Sequence, residues 1–554
     1  MAGITHMIAV SGSNVALVIA FSNILVIKLF GKKYSNYISI LFIIFFVFIS
    51  GATPSVVRAG IMAILNLIAN ILYKRSNGVI NTISSAFFIL VYNPLSIVNI
   101  GFLLSFAGTL GILIFSKEIK NLISKYIKVN FITEIISLNF SAQILIFPIT
   151  LYFFNTFSIV GIIANLFIVP ITSILTFLGI ILLLVSLISL NIASIISVII
   201  NPLINYILIM SKTFAGFDFL NLIVPTPKIW MILFFYVLLY FKYDYYLRLK
   251  ENYLLKINNM KNNIMKDNSK KLVYIISSIL LSTSIIIKVI PKNYIEFTAI
   301  DVGQGDSFLF VTNEGKKVLI DGGGSEMNEY DVGKNILMPY LLDRGFCKID
   351  YVFLSHAHAD HIDGIYTVLE NFKVKTIFIG PQLENDVMIK KLKQMALEKN
   401  IRIIELHEGQ VINIDEMKIE ILFPNKDYKE SNVNNLSLIM KVNCYGNNIL
   451  FTGDAEEKVE LELLKKYNSK VLDVDILKVG HHGAKTSSSD EFIQVLSPQI
   501  SIISVAKENT YGHPNKEVVE RLKKYGQVLQ TSELGEINFK IYNNGKIFQS
   551  ATYK

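Results

Sequence analysis

The feature that most constrains this chain is a succession of apolar runs filling its first half, at roughly 4–30, 36–52, 56–73, 79–92, 95–116, 131–154, 158–189, 191–211, 229–241 and 272–290. Lipid supplies no hydrogen-bond partners, so such segments cross it as helices that satisfy their own backbone. The expectation is a multi-pass α-helical membrane domain over 1–241, a basic loop over 242–271, a transmembrane helix at 272–290 and a second domain over 292–554. The run at 158–189 is too long for one upright helix and short for two, at about 1.5 Å rise per residue and about 30 Å of hydrocarbon. Met1 leads into apolar sequence with neither a charged leader nor a small-residue cleavage site, which argues against a removable signal peptide.

Charge divides the chain at the same place. Residues 1–291 hold 21 Lys and Arg against 6 Asp and Glu, and residues 292–554 hold 31 against 37, so the net charge of +9 is +15 followed by −6. The basic balance belongs to membrane-flanking loops and excludes a general nucleic-acid-binding surface. Lys28, Lys32 and Lys33, then Lys74 and Arg75, then Lys117, Lys120, Lys125 and Lys128 recur at every second loop, with GATPS and YNP between them. Basic loops face the cytoplasm. Residues 242–271, with 8 basic and 3 acidic side chains, join them, and the crossing at 272–290 leaves the second domain outside the cell membrane.

A few polar groups lie inside the apolar runs. His6 and Ser11 sit in ITHMIAVSGSN, and Arg58 follows GATPSVV with no acid nearby. Ionisable groups in spans face a bundle interior or a watery cavity, which makes these three candidates for a pathway. Close helix packing is an equal reading for Ser11 and Gly12. Pro148 and Pro170, with Gly161 between them, predict kinked or broken helices lining protein or a cavity.

After Pro291 the pattern becomes short β-rich runs between glycine-rich turns: YIEFTAI, FLFV, KVLIDGGG, VKTIFIG, KIEILFP, LSLIMKV, NILFTGD, VDILKVGHHG, ISIISV and GEINFKIY, with helical stretches at 386–398 and 456–467. Alternating strands and helices predict sheets covered by helices. The chemistry concentrates at LSHAHADHIDG, where three of the chain's eight histidines (His356, His358, His361) accompany Asp360 just past a predicted strand. Imidazole and carboxylate are ligands for zinc or manganese. A tight loop cannot aim all four groups at one tetrahedral centre, so the reading is two ions, His356 and His358 on one, Asp360 and His361 on the other. Two further strand ends repeat the pattern. Asp454 closes NILFTGD as a carboxylate able to bridge both ions. His481 and His482 close DILKVGHHG, with His481 assigned to the second ion and His482 to proton donation. Asp321 reads as an anchor for the histidine loop and not as a ligand. Lys485, with Ser487 to Ser489, offers a phosphate contact. His513 is a rim residue or a solvated one, and His407 reads as surface. Cys347 and Cys444 lack CxxC spacing and imply neither a disulfide framework nor a thiolate metal site.

HAHADH, TGD and HHG resemble the metallo-β-lactamase superfamily, which implies an αββα sandwich. DVGQGDS, LIDGGG, SHAHADHIDG, FTGDAE, LKVGHHGAKTSSS and YGHP are similar to the extracellular hydrolase domain of the ComEC competence proteins. ITHMIAVSGSNV, GATPSVVRAGIM and NPLSIVNIGFLLSFAGTLGI resemble that family's membrane domain. The resemblance implies a channel that carries one strand of DNA into the cytoplasm during natural transformation. Its attached hydrolase would degrade the other strand, with two divalent ions, zinc or manganese, as cofactors. Implied partners are DNA, membrane lipid, a DNA receptor and other competence machinery. Family members carry further membrane segments and an OB-like domain ahead of this motif, so either the sequence is a piece of a longer chain or a separate chain supplies that part. The superfamily also places a histidine before the bridging aspartate, where residues 434–438 read NNLSL. The first ion would keep only His356, His358 and Asp454, a site expected to be weak, open or manganese-preferring.

Phosphodiester hydrolysis by metal-activated water is the implied chemistry, with Lys485 and nearby amides offsetting charge on the phosphate and His482 or His513 protonating the departing oxygen. Two rival readings stay open: a paired-metal hydrolase acting on a nucleotide, phospholipid or lactone, and a pore whose outer domain binds a ligand without turnover.

Overall fold

The computed structural model describes residues 32–217, 221–257, 292–325, 330–383 and 386–552. The chain divides into two compact units, Met1–Ile264 and Met265–Lys554. His6, Ser11 and the predicted spans at 4–30 and 272–290 lie outside the described residues.

The first unit is helical: Lys32–Ile49, Pro54–Ile71, Gly78–Tyr92, Ile100–Ile123, Asn130–Phe154, Ile159–Ser186, Leu190–Ala215 and Ile229–Ile257. By length and composition, four helices among the described residues can cross a membrane: Ile100–Ile123, Asn130–Phe154, Ile163–Leu183 and Leu190–Phe214. Several boundaries differ from the sequence reading. Pro94–Val98 forms a 3₁₀ turn, and the helix expected at 95–116 starts at Ile100, where the Asn99 side chain accepts from Phe102 N, and runs on to Ile123. The ambiguous run at 158–189 is one helix of 28 residues with Pro170 inside it, and Pro148 lies inside the continuous helix Asn130–Phe154. Neither proline breaks its helix, because neighbouring groups in a bundle can satisfy the carbonyls that proline frees.

The chain breaks instead at Asn155. This residue is left-handed (φ 55°) and leads into strand β1 (Thr156–Ser158), which pairs antiparallel with β2 (Asn221–Ile223). The loop expected at 242–271 is helical as far as Ile257.

Small residues set the closest helix contact. A Cβ on Gly111 would lie 2.3 Å from the Ser141 carbonyl oxygen, so glycine lets Ile100–Ile123 and Asn130–Phe154 approach backbone to backbone. Arg58 is buried on Pro54–Ile71. Its guanidinium donates to the Ser105 carbonyl and the Thr109 hydroxyl and lies 5.6 Å from the Phe106 ring, which fastens two helices together.

The second unit is an αββα sandwich. One eight-stranded sheet has the order β17-β16-β3-β4-β5-β6-β7-β8, and a seven-stranded sheet has the order β15-β14-β13-β12-β11-β10-β9. The first contains β3 (Tyr294–Ala299), β4 (Phe308–Val311), β5 (Lys317–Ile320), β6 (Lys348–Leu354), β7 (Lys373–Ile379), β8 (Arg402–Glu405), β16 (Ile537–Tyr542) and β17 (Ile547–Ala551). The second contains β9 (Val411–Ile414), β10 (Met417–Phe423), β11 (Ile439–Cys444), β12 (Asn447–Phe451), β13 (Ile476–Lys478), β14 (Ile500–Ile503) and β15 (Gln527–Gln530). Between the sheets, Phe297 stacks on Phe310 and Phe539 at 4.7 and 5.5 Å, and Phe451 of the opposite sheet meets it edge-on at 5.8 Å. Helices Glu457–Lys466, Asp490–Leu496 and Lys516–Lys523 cover the outer face of the seven-stranded sheet through Val459, Leu463, Phe492, Ile493 and Leu522.

Strands β5 to β8 and β12 to β15 run parallel within their sheets, so the loops after β5, β6, β12, β13 and β14 leave from carboxyl ends, where open α/β sheets place their sites. Backbone bonds lace three of the site-forming loops together: Asp306 N donates to Asp360 O (3.1 Å), Gly323 N to Asp306 O (2.7 Å), Gly322 N to His361 O (2.7 Å) and Gly364 N to Gly323 O (2.9 Å). A Cβ on Gly364 would sit 1.9 Å from Gly322 O, so this crossing admits only glycine. Gly364→Ala is expected to destabilise the sandwich by about 1–3 kcal/mol, read as a lowered unfolding midpoint of the purified protein.

Candidate metal centre

Strand β6 ends at Leu354, and the following turn feeds the helix Ala359–Asn371 with His358 at its N-cap. The motif read as a tight loop therefore puts Asp360 and His361 in a first helical turn, while His356 and His358 precede it. Across the sandwich, β12 delivers Asp454 and β13 delivers the turn Gly480–Gly483. His481 and His482 are both left-handed (φ 47° and 53°), and each such residue stores roughly 1–3 kcal/mol of strain of a kind concentrated at functional sites.

Ligand atoms of Asp360, His361, Asp454 and His482 all lie within 4.8 Å of one another. Asp454 Oδ2 is 3.3 Å from His361 Nε2 and 3.4 Å from His482 Nε2, and Asp360 Oδ2 is 3.2 Å from His482 Nε2. The remaining nitrogens fix the tautomers. His482 Nδ1 lies 2.9 Å from the Ser504 carbonyl, which can only accept, and His361 Nδ1 lies 3.0 Å from Asp321 Oδ2. Each Nδ1 therefore holds a proton, and a cation displacing the Nε2 proton would meet an Nε2 lone pair facing the cluster. Asp321 accepts from Ser355 N as well (2.8 Å), and with Asp306 and His361 it forms a second group whose ligand atoms lie within 4.8 Å of one another. His356 Nε2 and His358 Nδ1 converge at 3.2 Å, and His356 Nδ1 lies 3.0 Å from Ser355 Oγ and 3.4 Å from Ser437 Oγ. Ser437, in the segment where the superfamily keeps a histidine, also accepts from Asp454 N at 3.0 Å.

Two residues escaped the sequence reading. Lys478, the last residue of β13, is fully buried. Its ammonium pairs with Asp306 Oδ2 and donates to Gly453 O (2.7 Å) and Asp454 Oδ1 (3.3 Å). Asp306, in DVGQGDS, is also buried, with Oδ1 3.6 Å from His482 Nδ1. The available signal was a lysine at the end of an otherwise apolar central strand.

The electrostatics follow from this burial. Desolvation opposes charge on His482, but Asp454 and Asp306 outweigh it and push its pKa up to about 10. Burial likewise opposes charge on His361, and Asp454, Asp360 and Asp321 hold it well above the usual imidazole range. Burial opposes charge on Asp454, yet His482, His361 and Lys478 hold it well below the ordinary carboxylate range. His356 is pushed far down by burial and by His361. Among the described residues the carboxylates of Asp306, Asp321, Asp360 and Asp454 face the ammonium of Lys478 and the imidazoles of His361 and His482, and a divalent cation would take over the charge balance now carried by the imidazole protons. His361 Nε2 and Asp306 Oδ1 are sealed from solvent without a hydrogen bond. The donor set fits a divalent ion.

The other expected residues fall outside the cluster. His482, and not His481, lies in the cluster, because the left-handed turn sends successive side chains different ways. His481 lies toward the rim, 3.4 Å from Thr486 Oγ1 and 3.9 Å from Glu456 Oε1. His513 has its ring 5.6 Å from that of His481. Burial lowers the pKa of both rim imidazoles. Lys485 is an exposed side chain 3.4 Å from Glu517. The expected phosphate contacts of 487–489 are spent internally: Ser487 Oγ donates to Gly480 O, the Ser488 and Ser489 amides donate to Glu460, and Ser489 Oγ caps Asp490–Leu496. His407 is half-buried at the end of β8, remote in sequence from the cluster.

Residues 1–248 match the family model for the Competence protein, and residues 300–507 match that for the metallo-beta-lactamase superfamily. The chain is 28% identical to ComE operon protein 3 of Bacillus subtilis (strain 168) over 98% of this chain and 68% of that protein. It is 29% identical to Recombination protein 2 of Haemophilus influenzae over 50% of this chain and 32% of that protein. It is 28% identical to Competence protein ComA of Neisseria gonorrhoeae over 46% of this chain and 34% of that protein. The chain thus spans about two thirds of the first relative and about a third of the other two. With its helical first unit and αββα second unit, the chain carries a Competence domain match followed by a metallo-β-lactamase superfamily match, and it is similar to ComE operon protein 3 over nearly its whole length.

Proposed function

We propose that this protein acts in DNA uptake. Its membrane unit passes a single strand across the cell membrane, and its outward-facing hydrolase unit cleaves phosphodiester bonds of the strand left behind. The observation that carries the reading is the presence, on one chain with a Competence domain, of a largely buried His and Asp cluster that fits a divalent ion. The names of the competence and recombination relatives support the substrate.

Asp360, His361, Asp454 and His482 would hold one divalent ion, and His356 and His358, with Asp454 shared, a second, zinc or manganese. When bound, such ions supply Lewis acidity toward a phosphoryl oxygen and the attacking water. The chain's own residues prepare that chemistry. Asp321 and the Ser504 carbonyl fix the His361 and His482 rings with Nε2 inward, so neither ring needs to reorient. Lys478 holds Asp454 Oδ1 and leaves Oδ2 toward the histidines. With His482 committed to the cluster, protonation of the departing oxygen falls to the rim imidazoles His481 and His513. Ser437, in place of a third imidazole beside His356, makes the second ion the weaker one. Because the hydrolase part is net acidic, the ions provide much of the attraction for a polyanion.

Three measurements test this. Asp454→Ala should abolish manganese- or zinc-dependent cleavage of DNA, assayed beside a nucleotide, a phospholipid and a lactone; undiminished cleavage of DNA by the variant removes this cluster from the reaction. Lys478→Met removes the ammonium shared by the buried Asp306 and Asp454 and should cost about 3–5 kcal/mol of stability, with weaker metal uptake by mass spectrometry of the dialysed protein. A reporter fused after Lys292 should be active only outside the cytoplasm, and a cytoplasmic signal would reverse the assigned topology.

A further inference from the structure

The loop between β14 and the helix Lys516–Lys523 carries Tyr511 and His513, and the chemistry above uses at most one of them. This loop is pinned on both flanks of the metal centre. Ser504 O accepts from His482 Nδ1 at 2.9 Å, Ala506 N donates to Gln304 Oε1 at 3.3 Å, and Asn515 N donates to Gly483 O at 2.8 Å. Asn509 closes it from within, its Nδ2 donating to His513 O (2.7 Å) and Ala506 O (3.1 Å) while its Oδ1 accepts from His513 N (3.0 Å).

The result is a fixed pair of parallel rings. Tyr511 and His513 lie 14° from coplanar orientation with centroids 5.9 Å apart, and Tyr511 keeps 45% of its surface exposed. Two ring-to-ring steps, 5.6 Å from His513 to His481 and 6.4 Å from His481 to His482, connect this pair to the ligand cluster. A large exposed aromatic on a loop tied this firmly has little side-chain entropy left to lose on contact, which favours stacking by a planar ligand.

We propose that Tyr511, flanked by His513, is a stacking subsite for an unpaired nucleobase of the strand whose phosphate sits at the metal centre. The proposal deepens the reading of the hydrolase unit as a nuclease and rests on it for the identity of the ligand. It makes the unit selective for single-stranded or locally melted DNA, because a base inside a duplex already has both faces covered. It also adds affinity to that of the ions in a net acidic domain, and it is tolerant of sequence, since every base has a π-face.

The test uses the full-length chain in detergent, with wild type, Tyr511→Leu and Tyr511→Phe. Anisotropy of a labelled oligothymidylate and of an abasic oligomer of the same length is recorded in EDTA, so that binding is read without hydrolysis. Cleavage of single-stranded and blunt duplex DNA is then followed with manganese. Tyr511→Leu should weaken oligothymidylate binding and raise KM for single strands about tenfold with kcat nearly unchanged, in line with the usual worth of one base–aromatic stack. Tyr511→Phe should stay close to wild type, and the abasic oligomer should bind wild type and Tyr511→Leu alike. Equal binding of oligothymidylate by wild type and Tyr511→Leu overturns the subsite, as does an equal loss on removing the bases in both proteins. Tyr511-dependent binding without cleavage by wild type would sustain the subsite while removing the nuclease assignment.

Discussion

The hydrolase unit depends on three loops crossing at backbone hydrogen-bond distance. The turn carrying Asp306, the glycine run after Asp321 and the first turn of Ala359–Asn371 exchange amide and carbonyl groups directly, and glycine stands where a side chain would separate them. The positions of Asp321, Asp360 and His361 are thereby consequences of main-chain geometry and not of flexible side chains reaching for a target. The second sheet then needs only to bring Asp454 and His482 to the same edge, which parallel pairing of β12, β13 and β14 achieves by ending adjacent strands together.

Burial on this scale creates a charge problem, and the solution shapes the site. Carboxylates removed from water are tolerated only when paired. Lys478 covers one side of the cluster by bridging Asp306 and Asp454, and the imidazoles of His361 and His482 cover the other. The two halves of the centre differ accordingly. One has mixed imidazole and carboxylate donors in close mutual reach, whereas the other has the imidazole pair His356 and His358 with Ser437 alongside.

Much of this was legible in the sequence because it rests on local patterns. Length and apolarity reveal a membrane helix such as Asn130–Phe154, and alternating short runs with glycine turns reveal the sandwich. The HAHADH spacing marks its own chemistry, and Asp321, ending a buried strand ahead of three glycines, stands beside the histidines, 3.0 Å from His361 Nδ1. What stayed hidden depends on direction and distance. Adjacent histidines in HHG look equivalent as letters, and only their left-handed backbone decides that His482 turns inward. Lys478 and Asp306 are 172 positions apart in the chain, and no local spacing announces their pairing. Lys485 and Ser487 to Ser489 suggest a phosphate cradle by composition, but Glu460 and the following helix consume their hydrogen-bonding groups. In the membrane unit, the helices run on through Pro148 and Pro170, where the sequence predicts kinks or breaks, and the chain leaves helix at Asn155.

The mutual lacing of the ligand loops has a bearing on how the protein matures. In small zinc modules the ion is the cross-link, and folding waits for it. Here amide bonds between loops and an internal ammonium already hold the donors in register, so the sandwich is able to complete its fold ahead of its cation. A divalent ion would then be a late addition to donors already in place, and its removal would leave the sandwich folded.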